Sequence, residues 1–154
     1  EFYLHSVAAL KQGGYYSYSS SIIDKIPISL ANDKSLTKLV EEKVLSIFAT
    51  NENFKKITNT FLSRIQSNFS IDKLPNKLKE FYNYDFKTFL EELKKKKVTI
   101  TLKQQDEWES YFNEYKSEIN SLQAQIEKTD KEIDHLVYQL YGLTDEEIKI
   151  VEGK

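Results

Sequence analysis

A chain of 154 residues has the mass to bury one real core, and one domain, or one and a part, is the expected organisation. Apolar residues make up 40% of it, with 10 Tyr and 9 Phe, which excludes a disordered composition. The absence of cysteine excludes disulfides, a thiolate nucleophile and cysteine-bound zinc, and a net charge of -2 excludes a grip on nucleic acid through bulk charge.

No run approaches the roughly 20 apolar residues of a membrane span, and no signal peptide is visible, so a bacterial-type cytoplasm is expected. The chain opens Glu1-Phe2-Tyr3 and contains no methionine, which leads us to expect a piece of a longer protein with functional residues outside it. Its positive charge comes from 21 lysines and a single arginine, Arg64. Arginine is the favoured bidentate reader of guanine, so the chain is poorly equipped to read DNA bases alone.

In chain order, residues 1–12 read as the tail of a helix with Phe2, Tyr3, Val7 and Leu10 on its buried side. Gly13-Gly14 ends it, because glycine tolerates the left-handed conformation needed there. Tyr15-Tyr16-Ser17-Tyr18 alternates enough for a short strand or extended loop. Ser20-Ser21 caps a single turn through Ile22, Ile23 and Ile26, which Pro27 stops by forcing Ile26 to be extended.

Asp33 or Ser35 caps a second helix, in which Leu36, Val40, Val44, Ile47, Asn51 and Phe54 form a stripe at helical period. A break is expected around Asn51-Glu52-Asn53, after which Ile57, Phe61, Ile65 and Phe69 continue the stripe. Leu74-Pro75-Asn76 marks a turn. Asp85 then caps a helix carrying Phe86, Phe89, Leu90 and Leu93, which runs out in Lys94–Lys97. Val98-Thr99-Ile100-Thr101-Leu102 is read as a short extended connector, with the alternative that Thr101 and Gln104 form a helix cap.

The strongest pattern follows. Trp108, Phe112, Tyr115, Ile119, Leu122, Ile126, Thr129, Ile133, Leu136 and Leu140 step by four and three without exception, which is a heptad seam. Phe112, Ile119, Ile126 and Ile133 at a, with Tyr115, Leu122, Thr129 and Leu136 at d, suit a two-helix partnership, and Thr129 is its one polar layer. The stripe of the second helix supplies a partner inside the same chain, so the expected fold is mainly α. It is a long antiparallel, coiled-coil-like hairpin with smaller packed helices (about 75–97) and at most a short strand or two. Gly142 closes the seam helix, and Thr144-Asp145-Glu146-Glu147 is a capping box opening a last turn, Ile148–Val151.

Residue types that do chemistry are sparse. His5 and His135 are the only histidines and have no helical partner at metal-ligand spacing, so both read as structural or solvated. Asp130, Glu132 and Asp134 form a helix face rather than two carboxylates across a cleft. No glycine-rich phosphate loop follows a strand, no G-x-S-x-G elbow occurs, and Asn83-Tyr84-Asp85 carries no catalytic pattern. Lys94–Lys97 complements the helix dipole, with phosphate contact as the alternative. The rings and hydroxyls of Gly13–Ser21 are groups that stack on bases or bond phosphates, although packing of Tyr15, Tyr16 and Tyr18 against the hairpin is the simpler reading. No catalytic or metal-binding residue is expected.

Two separated segments resemble one family. Gly13-Gly14-Tyr15-Tyr16-Ser17-Tyr18-Ser19, followed by Ile26-Pro27-Ile28, is similar to the end of a target-recognition domain in type II restriction-modification methyltransferases. Glu132-Ile133-Asp134-His135-Leu136-Val137-Tyr138-Gln139-Leu140-Tyr141-Gly142-Leu143-Thr144-Asp145-Glu146-Glu147-Ile148, with Ile150-Val151-Glu152, resembles the C-terminal signature of the same enzymes, which carry a TaqI-like C-terminal specificity domain. The matched segments cover about a quarter of the chain but bracket nearly all of it.

The resemblance implies an N6-adenine DNA methyltransferase using S-adenosylmethionine, in some members fused to a nuclease. The signature of Asn or Asp before Pro-Pro and an aromatic is absent here, as is a cofactor-binding glycine motif, so the catalytic domain is expected upstream and no cofactor within this chain. Residues 1–30 would end the target-recognition domain and 31–154 would be its helical support or spacer. The role that carries over is DNA contact, at Lys11, Tyr15, Tyr16, Tyr18 and Ser19. DNA is then the partner through the parent enzyme, with no membrane. The rival expectation is a helical interaction module that dimerises through its seam without touching DNA.

Overall fold

Two long helices dominate the computed structural model, which describes Lys34–Gly153 together with the backbone of Ala9–Leu10 and Tyr16–Ser17. The elements in order are β1 (Ala9–Leu10), β2 (Tyr16–Ser17), α1 (Lys34–Phe69), α2 (Asn76–Lys79), a 3-10 turn (Phe81–Asn83), α3 (Phe86–Lys95), α4 (Leu102–Tyr141) and α5 (Asp145–Val151). The fold is mainly α, as the periodicity predicts.

β1 and β2 pair antiparallel, with Ala9 opposite Ser17 and Leu10 opposite Tyr16. This corrects the helix expected over 1–12, at least at Ala9–Leu10: the backbone there gives its hydrogen-bonding groups to a partner strand instead of to the next turn. The extended backbone expected at Tyr15–Tyr18 is found at Tyr16–Ser17. Gly13-Gly14, the turn at Ile22–Ile26 and the Asp33 cap lie outside the described residues.

The chain divides into two compact units, one of Glu41–Ile133 and one of Glu1–Val40 with Asp134–Lys154. In the first, Lys43 near the start of α1 reaches Glu132 near the end of α4, with Nζ and Oε2 2.6 Å apart. Phe61, toward the end of α1, instead meets Trp108, Tyr111, Phe112 and Tyr115 near the start of α4. The two helices are therefore antiparallel, and the connection folds back between them as a hairpin requires. Every seam residue of α4 in this unit, from Trp108 to Ile133, is buried or half-buried.

α1 runs unbroken for 36 residues, so the break expected at Asn51–Asn53 does not occur. The polar side chains there bond within the helix: Thr50 Oγ1 donates to the Ser46 carbonyl at 2.9 Å and Asn51 Nδ2 to that of Ile47 at 3.0 Å. Their side chains thus find partners inside the helix and do not draw the backbone out of it, the alternative that makes such residues poor interior helix formers. Thr50, not Asn51, is the buried member of the stripe.

The chain leaves α1 through Ser70, whose φ of 51° is left-handed, while Ile71 N–H donates back to the Gln66 carbonyl at 3.2 Å. Pro75 starts α2 and Asp85 starts α3, where its Oδ1 accepts from Thr88 N–H at 2.8 Å, as the sequence predicts. α3 ends by the same device as α1, with Lys97 at φ 62° and Val98 N–H donating to the Leu93 carbonyl at 3.0 Å.

Residues 98–101 are an irregular connector, and Thr101 also caps α4. Its N–H donates to Gln104 Oε1 at 2.9 Å and its hydroxyl accepts from Gln104 N–H at 3.3 Å. Both alternatives for this segment hold, with Leu102 already helical.

The core lies where α2, the 3-10 turn and α3 cover the Phe61 end of the hairpin. Phe61, Phe81, Phe89 and Phe112, with Ile65, Leu78, Leu93 and Ile119, are almost completely buried. Phe61 stacks on Phe81 with centroids 3.9 Å apart, and Phe89 packs on Phe112 at 5.5 Å and on Trp108 at 5.9 Å. Lys116 Nζ adds a tie from α4 to the Tyr84 carbonyl before α3.

In the second unit, Gly142 takes φ 63° after α4. Its N–H donates to the Gln139 carbonyl at 3.1 Å and Leu143 N–H to that of Tyr138 at 3.0 Å, which satisfies carbonyls that a helix end leaves open. Thr144 N–H then donates to Glu147 Oε2 at 2.8 Å while Glu147 N–H donates to Thr144 Oγ1 at 3.3 Å. The predicted capping box is complete.

Candidate functional site

The residues expected to contact DNA fall where little is described. Tyr16 lies in β2, opposite Leu10. Lys11, Tyr15, Tyr18 and Ser19 lie outside the described residues, as does His5.

The other candidates resolve into structural roles. His135 is exposed, with Nε2 3.1 Å from Gln139 Nε2 one turn on. Asp130 and Asp134 are exposed, whereas Glu132 accepts from Lys43, and that ammonium holds its carboxyl below the usual range. Among the described residues no three His, Cys, Asp or Glu gather as a metal would require. Lys94, Lys95, Lys96 and Lys97 are all exposed, and Lys95 Nζ lies 2.7 Å from Oε1 of Glu92, a carboxylate buried in α3.

A different surface stands out on the outer side of α1. Lys56, Asn59, Thr60, Ser63, Arg64 and Ser67 line a shallow open groove along one side of the helix. Asn59 and Ser63 also belong to a second groove, which continues over Gln66, Asp72, Lys73 and Lys79, so one carboxylate lies among its cations. Helical geometry places these residues together: positions three and four apart share a face, here the one opposite Phe61 and Ile65.

Charge on this stretch is one-sided. From Asn53 to Ile71 there is no Asp or Glu, and from Asn53 to Lys79 the six cations Lys55, Lys56, Arg64, Lys73, Lys77 and Lys79 face only Asp72. Lys55 is 3.7 Å from Glu52, but Lys56, Arg64, Lys73 and Lys79 form no ion pair among the described residues. The remaining exposed groups are hydroxyls and amides, which donate hydrogen bonds without adding negative charge. The run without acids is visible in the sequence, but total charge and the hydrophobic stripe divert attention from it.

Comparison with known proteins identifies a family for the hairpin. Residues 33–137 match the model of Domain of unknown function (DUF8810). The chain belongs to that family. The matched range takes in all of α1, α2 and α3 and nearly all of α4. No curated protein and no solved structure matches the chain. No described helix is long and apolar enough to cross a membrane.

Proposed function

We propose that the hairpin is the helical support of a DNA target-recognition module in a type II restriction-modification enzyme that methylates adenine at N6. The observation that carries this reading is closure of the seam within the chain. Phe112 and Ile119 on α4 are buried together with Phe61 and Ile65 on α1, so the long helices satisfy each other and form a stiff element needing no partner to fold. The resemblance of the segments at 13–28 and 132–152 to these enzymes supplies the chemical class. The Gly142 turn and Thr144 box give the second segment a defined local structure.

On this reading DNA contact falls to Lys11, Tyr15, Tyr16, Tyr18 and Ser19, in residues 1–30. The parent polypeptide supplies the S-adenosylmethionine site and the catalytic residues, and it works in the bacterial cytoplasm. The hairpin itself transfers no methyl group.

The test is made on the polypeptide that contains this chain. Expressed in a bacterium lacking DNA methylation, it should leave N6-methyladenine at one defined DNA sequence. A folded, expressed protein that modifies no adenine contradicts the reading. In the same assay Lys11→Ala, Tyr15→Ala and Tyr16→Ala together should impair modification of the target. Unchanged sequence preference reduces those side chains to packing.

A second reading, an interaction module, is favoured by one observation. Leu45 and Phe48, three residues apart on α1 and outside the seam, are 67% and 62% exposed. A partner at those positions would use one flank of the hairpin and leave its seam closed.

A further inference from the structure

We propose that the outer face of α1 from Lys56 to Ser67, extended by Lys73 and Lys79, is a docking surface for the phosphate backbone of duplex DNA. The commitment to DNA over other polyanions rests on the functional reading above; the surface itself rests on geometry and charge.

Three features converge. Cations and neutral donors recur every three or four residues, at Lys56, Asn59, Thr60, Ser63, Arg64 and Ser67, so they form one ladder about 16 Å long at 1.5 Å per residue. Duplex DNA carries a negative charge about every 1.7 Å of axis, so such a ladder can meet several phosphates at once. Lys, Arg, Ser, Thr, Asn and Gln are the side chains that bond phosphate and sugar oxygens, and their preponderance here fits positioning on the duplex without base reading.

Within the ladder itself no carboxylate occurs, from Asn53 to Ile71; Glu52, one turn before Lys56, lies 3.7 Å from Lys55. α4 shows the opposite composition, with nine acids against four lysines between Leu102 and Tyr141. A chain of net charge -2 therefore still carries one helix stretch with cations and no acids. Finally, the face is rigid. Phe61 and Ile65, on the opposite side of the same turns, have no solvent exposure and lock this part of α1 to the core. The aromatic rings of these turns, Phe54, Phe61 and Phe69, pack in or against the core, so none offers the stacking platform that single strands require. Duplex is the fitting ligand.

The whole chain should bind a short labelled duplex of arbitrary sequence in a fluorescence polarisation titration at low salt. With Lys56, Arg64, Lys73 and Lys79 each neutralising a phosphate, the slope of log affinity against log salt should be about -3.6, from about 0.9 per contact. The triple variant Lys56→Ala, Arg64→Ala, Lys73→Ala should weaken binding about tenfold or more and make the slope shallower by about 2.7. Alanine is the best helix former at positions 56 and 64, and Lys73 is an exposed residue of the connection after the helix, so the variant should melt like the parent. Lys94→Ala with Lys96→Ala, which removes charge elsewhere, should change neither affinity nor slope.

Absence of duplex binding at low salt overturns the proposal. So does an equal loss in both variants, which would reduce the effect to total charge, or competition by polyglutamate as strong as by unlabelled duplex, which would point to an acidic protein surface. The two proposals fail separately. A parent protein that methylates DNA while the triple variant binds unchanged removes the docking face alone, and duplex binding through this face without any methylation removes the enzymatic reading alone.

Discussion

Within the unit Glu41–Ile133 the two ends of the hairpin are built on different principles. At the Phe61 end, α2, the 3-10 turn and α3 add a third layer, and the rings of Phe61, Phe81, Phe89 and Phe112 lose essentially all their exposure. Toward the Lys43 end, among the described residues of this unit, the contact is between the two long helices. Val44, Ile47, Ile126 and Ile133 stay half-buried, Thr50 and Thr129 are the buried polar residues, and Lys43–Glu132 joins the helices by charge. Stability should therefore be concentrated at the aromatic end, where burial is complete, while the two-helix end sets pairing and register at lower energy.

That contrast is broken most directly by deletion on both sides of it. Phe61→Ala should cost about 3–5 kcal/mol, as for other fully buried phenylalanines, which is much of the stability of an ordinary domain. Ile126→Ala, half-buried at the two-helix end, should cost only ~1–2 kcal/mol, since part of its surface already faces water. Urea unfolding of both variants measures the difference. Equal losses would mean that the third layer adds nothing.

A smaller effect sharpens the account of how the aromatic end is closed. Lys97 holds a left-handed φ of 62° at the end of α3, a conformation that costs a side chain about 1 kcal/mol. Lys97→Gly should raise the melting temperature by a few degrees, on the order of 1 kcal/mol. An unchanged or lower melting point would show that the lysine side chain compensates for its backbone.

The smallest effects are those of pH. Lys43 holds Glu132 below its ordinary pKa of 4.5, and Thr144 does the same for Glu147. Thr88 lowers Asp85 from 3.8. Depressed carboxylates contribute stability above their unfolded pKa and lose it as pH falls through the folded one, so melting temperature should be level down to about pH 5 and decline below 4.5. Lys43→Ala should remove part of that decline. Tyr111 behaves in the opposite sense: burial and the adjacent Tyr115 hydroxyl push its phenol up to about 12 from 10.0. Its contribution is present below pH 10 and lost between 10 and about 12, and absorbance titration should find it ionising late, together with Tyr82, which burial and Glu80 also raise.

The same contrast explains what could be read from the residues. The two-helix partnership was legible because a heptad seam is local: Trp108 to Ile133 step regularly, and each is buried or half-buried. Caps were legible at Asp85 and Thr144 because one side chain and its own backbone decide them. The third layer was legible only in part, as packed helices over about 75–97 with one capped by Asp85. Leu74, Leu78 and Phe81 join the core through a four-residue helix and a single 3-10 turn, too short for periodicity to register. Glu92 in α3 is buried although its type predicts exposure, because Lys95 one turn on lies beside its carboxylate. The uninterrupted α1 was also missed, since Asn51 reads as a breaker until its amide is seen on the Ile47 carbonyl. The candidate surface was half-visible: the acid-free stretch 53–71 is in the letters, but its placement opposite Phe61 and Ile65 required the fold.

Sedimentation equilibrium over a wide concentration range tests the closed seam most directly. A helix pair satisfied within one chain should sediment at the monomer mass of 18.1 kDa at every concentration. A species of twice that mass, growing with concentration and abolished by substitution at Ile119 or Ile126 without loss of helix content, would show that the seam joins two copies instead.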